Sequence, residues 1–279
     1  MNRRWYSLPY AIWALIFTIV PLVVVFVYGI TVRANDGSLA FSLANFGRFF
    51  NPIYIGVLWR SVLYAAISTL ICLLIGYPAA LILTSRHLKH KSIMLLLIVI
   101  PMWMNLLLRT YSWLTLLENE GLINQFLRFI GVIEKEDYIQ FLYGKGAVIF
   151  GMVYNFLPFM ILPIHSVISK LDYSIIEAAE DLGAGKLHVF RKVIFPLSLP
   201  GISSGITMVF VPAITTFAIS SILSGNNVNL LGNVIEKQFG VGGDWNFGST
   251  MSLILMAMIL LSLLFMPDSE KENQGGMMP

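Results

Sequence analysis

Six stretches of this chain are each long and apolar enough to cross a lipid bilayer, and that constraint decides the fold class before any other. A helix needs about 20 apolar residues to span the hydrocarbon core. Suitable runs lie at about Leu8–Val32, Ser61–Thr84, Ser92–Leu116, Ala147–Ile168, Gly201–Ser224 and Gly248–Met266. A soluble fold of 279 residues cannot hide a composition that is 57% hydrophobic. The expectation is an all-α integral membrane protein, with residues 1–266 forming one transmembrane domain and 267–279 a disordered cytoplasmic tail. The first run far exceeds the h-region of a cleaved signal, and no small-x-small cleavage site follows it, so it reads as a retained span.

Positive residues set the orientation. Arg3 and Arg4 precede the first run; Arg86, Lys89 and Lys91 fill the link between the second and third. Lys170, Lys186, Arg191 and Lys192 lie between the fourth and fifth. With six crossings these fall on one side, which places both termini in the cytoplasm. The opposite loops carry mixed charges, among them Glu118, Glu120, Glu134, Lys135, Glu136 and Asp137. A net charge of +3 is too small to imply nucleic acid. Cys72 is alone, so no intrachain disulfide exists. His87, His90, His165 and His188 lack the converging ligands that a metal site needs, and no metal is expected. Pro21, Pro78, Pro101, Pro158, Pro163 and Pro212 interrupt the runs and favour a bundle that moves.

The most informative polar segment is Ser174–Pro200. Ser174 followed by Glu177 predicts a capping box, with Asp172 adding negative charge at the helix start. Leu171, Ile175, Ala178, Ala179 and Leu182 recur at helical spacing, giving an apolar face beside an acidic one. Gly183 stands where a left-handed C-cap belongs. A second short helix follows, with Leu187, Phe190 and Ile194 on one face and Lys186, His188, Arg191 and Lys192 on another. Pro196 and Pro200 are expected to stop it. A helical hairpin this short cannot fold alone, so it rests on the spans or on a partner.

Glu177-Ala178-Ala179, then Gly183, then Val193-x-Phe195-Pro196 resembles the EAA loop of ABC importer permeases. The family pattern is E-A-A, three residues, G, nine residues, I-x-L-P; Val193 and Phe195 stand for the usual Ile and Leu. The resemblance implies a six-span type I (MetI-like) importer permease with cytoplasmic EAA coupling helices. Glu177, Ala178, Ala179, Asp181, Gly183, Leu187, Phe190 and Pro196 would then carry the coupling to an ATPase homodimer. This chain has no G-x-x-x-x-G-K-[ST] loop, and Gly183-Ala184-Gly185-Lys186 lacks the spacing. ATP and magnesium would therefore bind on that separate subunit, and no cofactor is expected here. The other implied partners are a second homologous permease subunit and an extracytoplasmic binding protein, at a bacterial inner (plasma) membrane.

A wider similarity links the chain to spermidine/putrescine permeases. It rests on Pro101-Met102-Trp103, Leu108 to Trp113, Phe156 to Met160, Asn229 to Ile235 and Asp244 to Gly248. Polyamines would be the implied substrate. Aromatic faces attract protonated amines, so Trp103, Tyr111, Trp113 and Tyr154, with Asn105 and Asn155 as neutral partners, form a candidate path. The same aromatics also suit an interfacial belt. Glu118 and Glu120 would concentrate cations at the outer mouth. Arg109, odd beside a cation path, reads as a structural ion pair or a snorkelling side chain. Gly201 and Gly205 form a small-xxx-small pair for close helix packing. Rival readings are a permease for another small solute, a secondary transporter and a membrane enzyme. The spans offer no convincing acid for ion coupling and no converging nucleophile, base or metal set.

Overall fold

The computed structural model describes residues 9–10, 12–33, 38–85, 89–134 and 136–264. Arg3, Arg4, Arg86, His87, Lys135 and the C-terminal tail lie outside them. Two compact units divide within one long helix, between Trp59 and Arg60.

The first unit begins with α1 (Ile12–Gly29). A wide π-helical turn at Leu15–Ile19 precedes Pro21. A hairpin follows, with β1 (Thr31–Arg33) antiparallel to β2 (Leu39–Phe41) and Val32 opposite Ala40. Then come α2 (Ala44–Phe49) and the opening turns of α3 (Pro52–Thr84). The unit closes with α11 (Leu231–Phe239) and α12 (Trp245–Leu264), numbered in chain order. Gly29 lets α1 lie against α12: a Cβ there would stand 2.5 Å from Leu253 Cδ1. The Asn246 amide donates to Tyr28 O (3.1 Å), Thr31 O (2.8 Å) and Thr31 Oγ1 (3.1 Å). Thr250 Oγ1 donates to Gly29 O at 2.8 Å. These bonds satisfy the carbonyls at the end of α1, which a helix terminus otherwise leaves open. Arg48 pairs with Asp244 at 2.7 Å and lies 4.1 Å over the Phe247 ring.

The second unit holds the rest of α3, α4 (Lys91–Trp103), α5 (Leu106–Leu117), α6 (Leu122–Phe129) and α7 (Lys145–Ile168). It continues through α8 (Tyr173–Asp181), α9 (Lys186–Thr215) and α10 (Ala218–Ser224). Its centre is the pair α7 and α9, which Gly201 and Gly205 bring together as their spacing predicts. A Cβ at Gly201 would meet Ile164 Cα and Pro163 O, both at 3.0 Å; one at Gly205 would meet Met160 Sδ at 2.7 Å. Gly76 brings α3 onto Met160 in the same way. Cys72 is buried, as a small apolar side chain. Tyr77 OH and Ser198 Oγ, 2.9 Å apart, tie α3 to α9.

The helix boundaries depart from the apolar runs where capping chemistry overrides hydropathy. α3 starts at Pro52, well before Ser61, because Asn51 Oδ1 accepts from Ile53 N at 3.1 Å and caps it. α12 starts at Trp245, since Asp244 Oδ1 accepts from Phe247 N. The third run is two helices, α4 and α5–α6, meeting at 98°. Pro101 weakens the last turn of α4 and Asn105 caps a new helix, accepting from Leu107 N at 2.8 Å. The fifth run ends at Thr215, where Thr216 turns extended before α10. Pro196 and Pro200 do not stop the second short helix; it continues through both into the span. A π turn at Phe190–Ile194 precedes Pro196, as one precedes Pro21 in α1, and at both places it leads the chain into a proline without ending the helix.

Candidate docking segment and polar groups at membrane depth

The polar segment is built from its caps. Asp172, not Ser174, is the N-cap of α8: its Oδ1 accepts from Ser174 N at 3.0 Å. That bond to the backbone amide holds the Asp172 carboxyl below its usual range. Ser174 sits inside the first turn, so the expected capping box does not form. Aspartate at the preceding site is at least as good a cap and leaves Glu177 exposed. At the far end Gly183 has φ +82°. Its amide donates to Glu180 O (2.8 Å) and that of Ala184 to Ala179 O (3.1 Å), the paired bonds of a Schellman stop. Gly185 then begins α9, and Val189 is buried. Tyr77, Phe190 and Phe195 pack as a ring trio with centroids 5.9–6.2 Å apart.

The apolar side chains between these anchors are uncovered. Leu182 is 90% exposed, Leu187 70%, and Ile175 is also exposed. Within the chain Leu187 is exposed, Phe190 and Ile194 are half-buried and Val189 is buried. Glu177, Ala178 and Asp181 are exposed and Ala179 half-buried, while Pro196 is exposed on α9. Lys186, Leu187, His188, Arg191 and Lys192 line an open groove with Gly185. Acidic α8 and basic α9 stand next to each other in sequence, yet none of Glu177, Glu180, Asp181, Lys186, Arg191 or Lys192 forms an ion pair among the described residues.

The six candidate path residues separate. Trp113 meets Tyr154 edge to face at 5.0 Å and Phe150, one turn earlier on α7, at 4.7 Å. Asn155 is buried, 1% exposed; its Nδ2 donates to Gly151 O at 2.8 Å and its Oδ1 has no partner. Asn105 caps α5. Trp103 and Tyr111 are exposed, the former 79%. Glu120 is engaged by Arg128 through two hydrogen bonds of 2.8 and 3.0 Å, so it is not a free charge at a mouth.

Arg109 pairs with no acid among the described residues. It is only 7% exposed, and its Nε and Nη1 find no hydrogen-bond partner. The ion pairs Arg48–Asp244 and Arg128–Glu120 do not involve it. Trp113 is one turn further along α5, about 6 Å away by helix geometry. A protonated amine on Trp113 would meet a repulsion of about 2–3 kcal/mol at an effective dielectric near 20. That is comparable with the roughly 0.5–2 kcal/mol of cation–π attraction, so an unneutralised Arg109 works against a cation at the ring pair.

Asn246, Thr31, Tyr77 and Ser198 hold the helices together, and none of them stands out in the sequence by charge or spacing. A capping signal was present at Asp244, three residues before Phe247, and at Asp172 two before Ser174.

Residues 53–267 match the family described as "Binding-protein-dependent transport system inner membrane component". The chain is 38% identical over 268 residues to the spermidine/putrescine transport system permease protein PotB of Haemophilus influenzae, covering 93% of each. It is 39% identical over 254 residues to PotB of Escherichia coli, covering 90% of this chain and 92% of that one. A solved bacterial ABC transporter involved in import of the acidic polysaccharide alginate has the same fold, with TM-score 0.78 and 15% identity over 98% of this chain and 95% of that one.

Proposed function

We propose that this chain, which belongs to the binding-protein-dependent transport system inner membrane component family, is the permease subunit of an ATP-driven importer and carries polyamines inward. The substrate comes from the PotB relatives, similar over about nine tenths of both chains. The observation that carries the coupling is the α8–Gly183–α9 segment. It is fixed at both ends by caps, yet its apolar and charged side chains lie open and unpaired.

An ATPase homodimer in the cytoplasm is the partner such a surface fits. Glu177, Ala178, Ala179, Asp181, Gly183 and Leu187 would meet its groove, while Phe190 and Pro196 carry the displacement into the span. ATP and magnesium bind on the ATPase, and this chain does no covalent chemistry. Both termini then face the cytoplasm. A second homologous permease completes the path, and an extracytoplasmic binding protein delivers the substrate. Closure of the ATPase dimer favours the outward-open arrangement because the two arrangements differ in their contacts with the docking segment.

The test is uptake of labelled spermidine and putrescine into vesicles holding the full complex, with ATP inside and binding protein outside. ATP-dependent accumulation of either polyamine supports the reading. A complex whose ATPase responds to its binding protein but accumulates neither would overturn the substrate and leave the coupling standing.

A further inference from the structure

We propose that Arg109 receives a carboxylate side chain carried by the second permease subunit, and that this pairing turns the Trp113–Tyr154 rings into a seat for protonated amines only in the assembled importer. The proposal rests on the reading above that the chain works beside a second permease.

Three observations converge on an anion at the start of α5. Arg109 is buried with two unpartnered nitrogens. Helical side chains lean toward the N-terminus, which inclines the Arg109 side chain toward the first turn of α5. In that turn Asn105 Oδ1 takes the Leu107 amide, but the amides of Leu106 and Leu108 donate to no acceptor among the described residues. Open amides at a helix start and a cation leaning over them suit a carboxylate.

The depth of this turn selects who supplies it. The 13 residues of α4 rise about 20 Å, short of the roughly 30 Å hydrocarbon core. Broken backbone at that depth is tolerated only inside protein or beside a cavity. Yet Met104 and Asn105, at the break itself, are exposed in this chain. A protonated substrate brings donors only. Lipid phosphates stay at the head-group level. The acids engaged within the chain, Glu120 and Asp244, are paired elsewhere. A carboxylate on a neighbouring permease span meets the charge, the donors and the depth together. Once paired, Arg109 no longer repels an amine at Trp113.

The test compares Arg109→Gln and Arg109→Glu in the full complex and in the single subunit. Arg109→Gln is expected to weaken retention of the second permease in detergent by at least about 30-fold. The isolated chain should melt no lower, because an unpaired buried charge has been removed. A lower melting temperature in isolation with unchanged retention would overturn the proposal in favour of an intrachain role. So would retention restored by added anionic lipid or chloride alone. Arg109→Glu, if it folds poorly, is read through rescue: one Asp or Glu→Lys change in a span of the second permease should restore assembly and uptake. Absence of any rescuing position overturns the idea. Uptake by the unaltered complex is scored separately, so failure here does not touch the importer reading.

Discussion

Replacing Gly183 by alanine isolates backbone conformation from packing. Its φ of +82° is left-handed, and a Cβ there would meet nothing within 4 Å. Alanine therefore introduces no clash inside the chain. It costs about 1–2 kcal/mol of conformational strain, the penalty an L-residue incurs in that region. The stop after α8 depends on this geometry through the Glu180 and Ala179 carbonyls. The ratio of chains with α8 correctly set against α9 to those without should fall about 5- to 30-fold. The affinity of the permease for its ATPase should fall by up to that factor, measured by titrating ATPase onto the permease in nanodiscs. Membrane content should not change, since the spans are untouched. Asparagine, which enters left-handed conformations readily, should recover most of the loss. Alanine binding as tightly as glycine would refute the conformational argument. Asparagine as poor as alanine would mean that the partner meets the new side chain.

Further predictions concern the helix seams and caps. Gly201→Ala should destabilise the chain by about 1–3 kcal/mol and more than Gly205→Ala, because its Cβ meets backbone while that at Gly205 first meets the movable end of Met160; melting in detergent orders them. Asn246→Leu should cost about 2 kcal/mol by removing the amide that donates to Tyr28 O and Thr31 O, and hydrogen exchange should rise at the end of α1. Asp172→Ala should fray the start of α8 more than Ser174→Ala, read by proteolysis of the segment. The Asp172 carboxyl is held down in the folded state, so its stabilisation is complete above the usual aspartate range and is lost as pH falls through the lowered value. Docking should thus be flat around neutrality and fade in strong acid; a fade between pH 6 and 8 would point to a different group.

Hydropathy pointed to six apolar runs; five helices among the described residues are long and apolar enough to cross a bilayer, six if the bent α4/α5–α6 pair counts as one span. Hydropathy missed the directions of the chain. Nothing in the apolarity of Ser92–Leu116 reveals the 98° bend, which depends on Pro101 and a capping Asn105 that hydropathy scores only as a polar residue. Proline read as a stop failed at Pro196, since a π turn can lead a helix into it. Gly183 was legible because only backbone geometry asks for glycine there. Asp172 was half-legible: its charge was noted, its cap was not. Arg109 was conspicuous, but its lack of a partner is a property of three dimensions.

The unbroken helix from Lys186 to Thr215 has a mechanical meaning. From the basic groove to Gly201 it runs about 22 Å, at about 1.5 Å per residue. It is a long helix with a π turn ahead of Pro196, where its own Phe190 and Phe195 pack against Tyr77 of α3. Under the proposed coupling, a push at Leu187 would travel along continuous helix to the tight seam at Gly201, with no loop between them to absorb it.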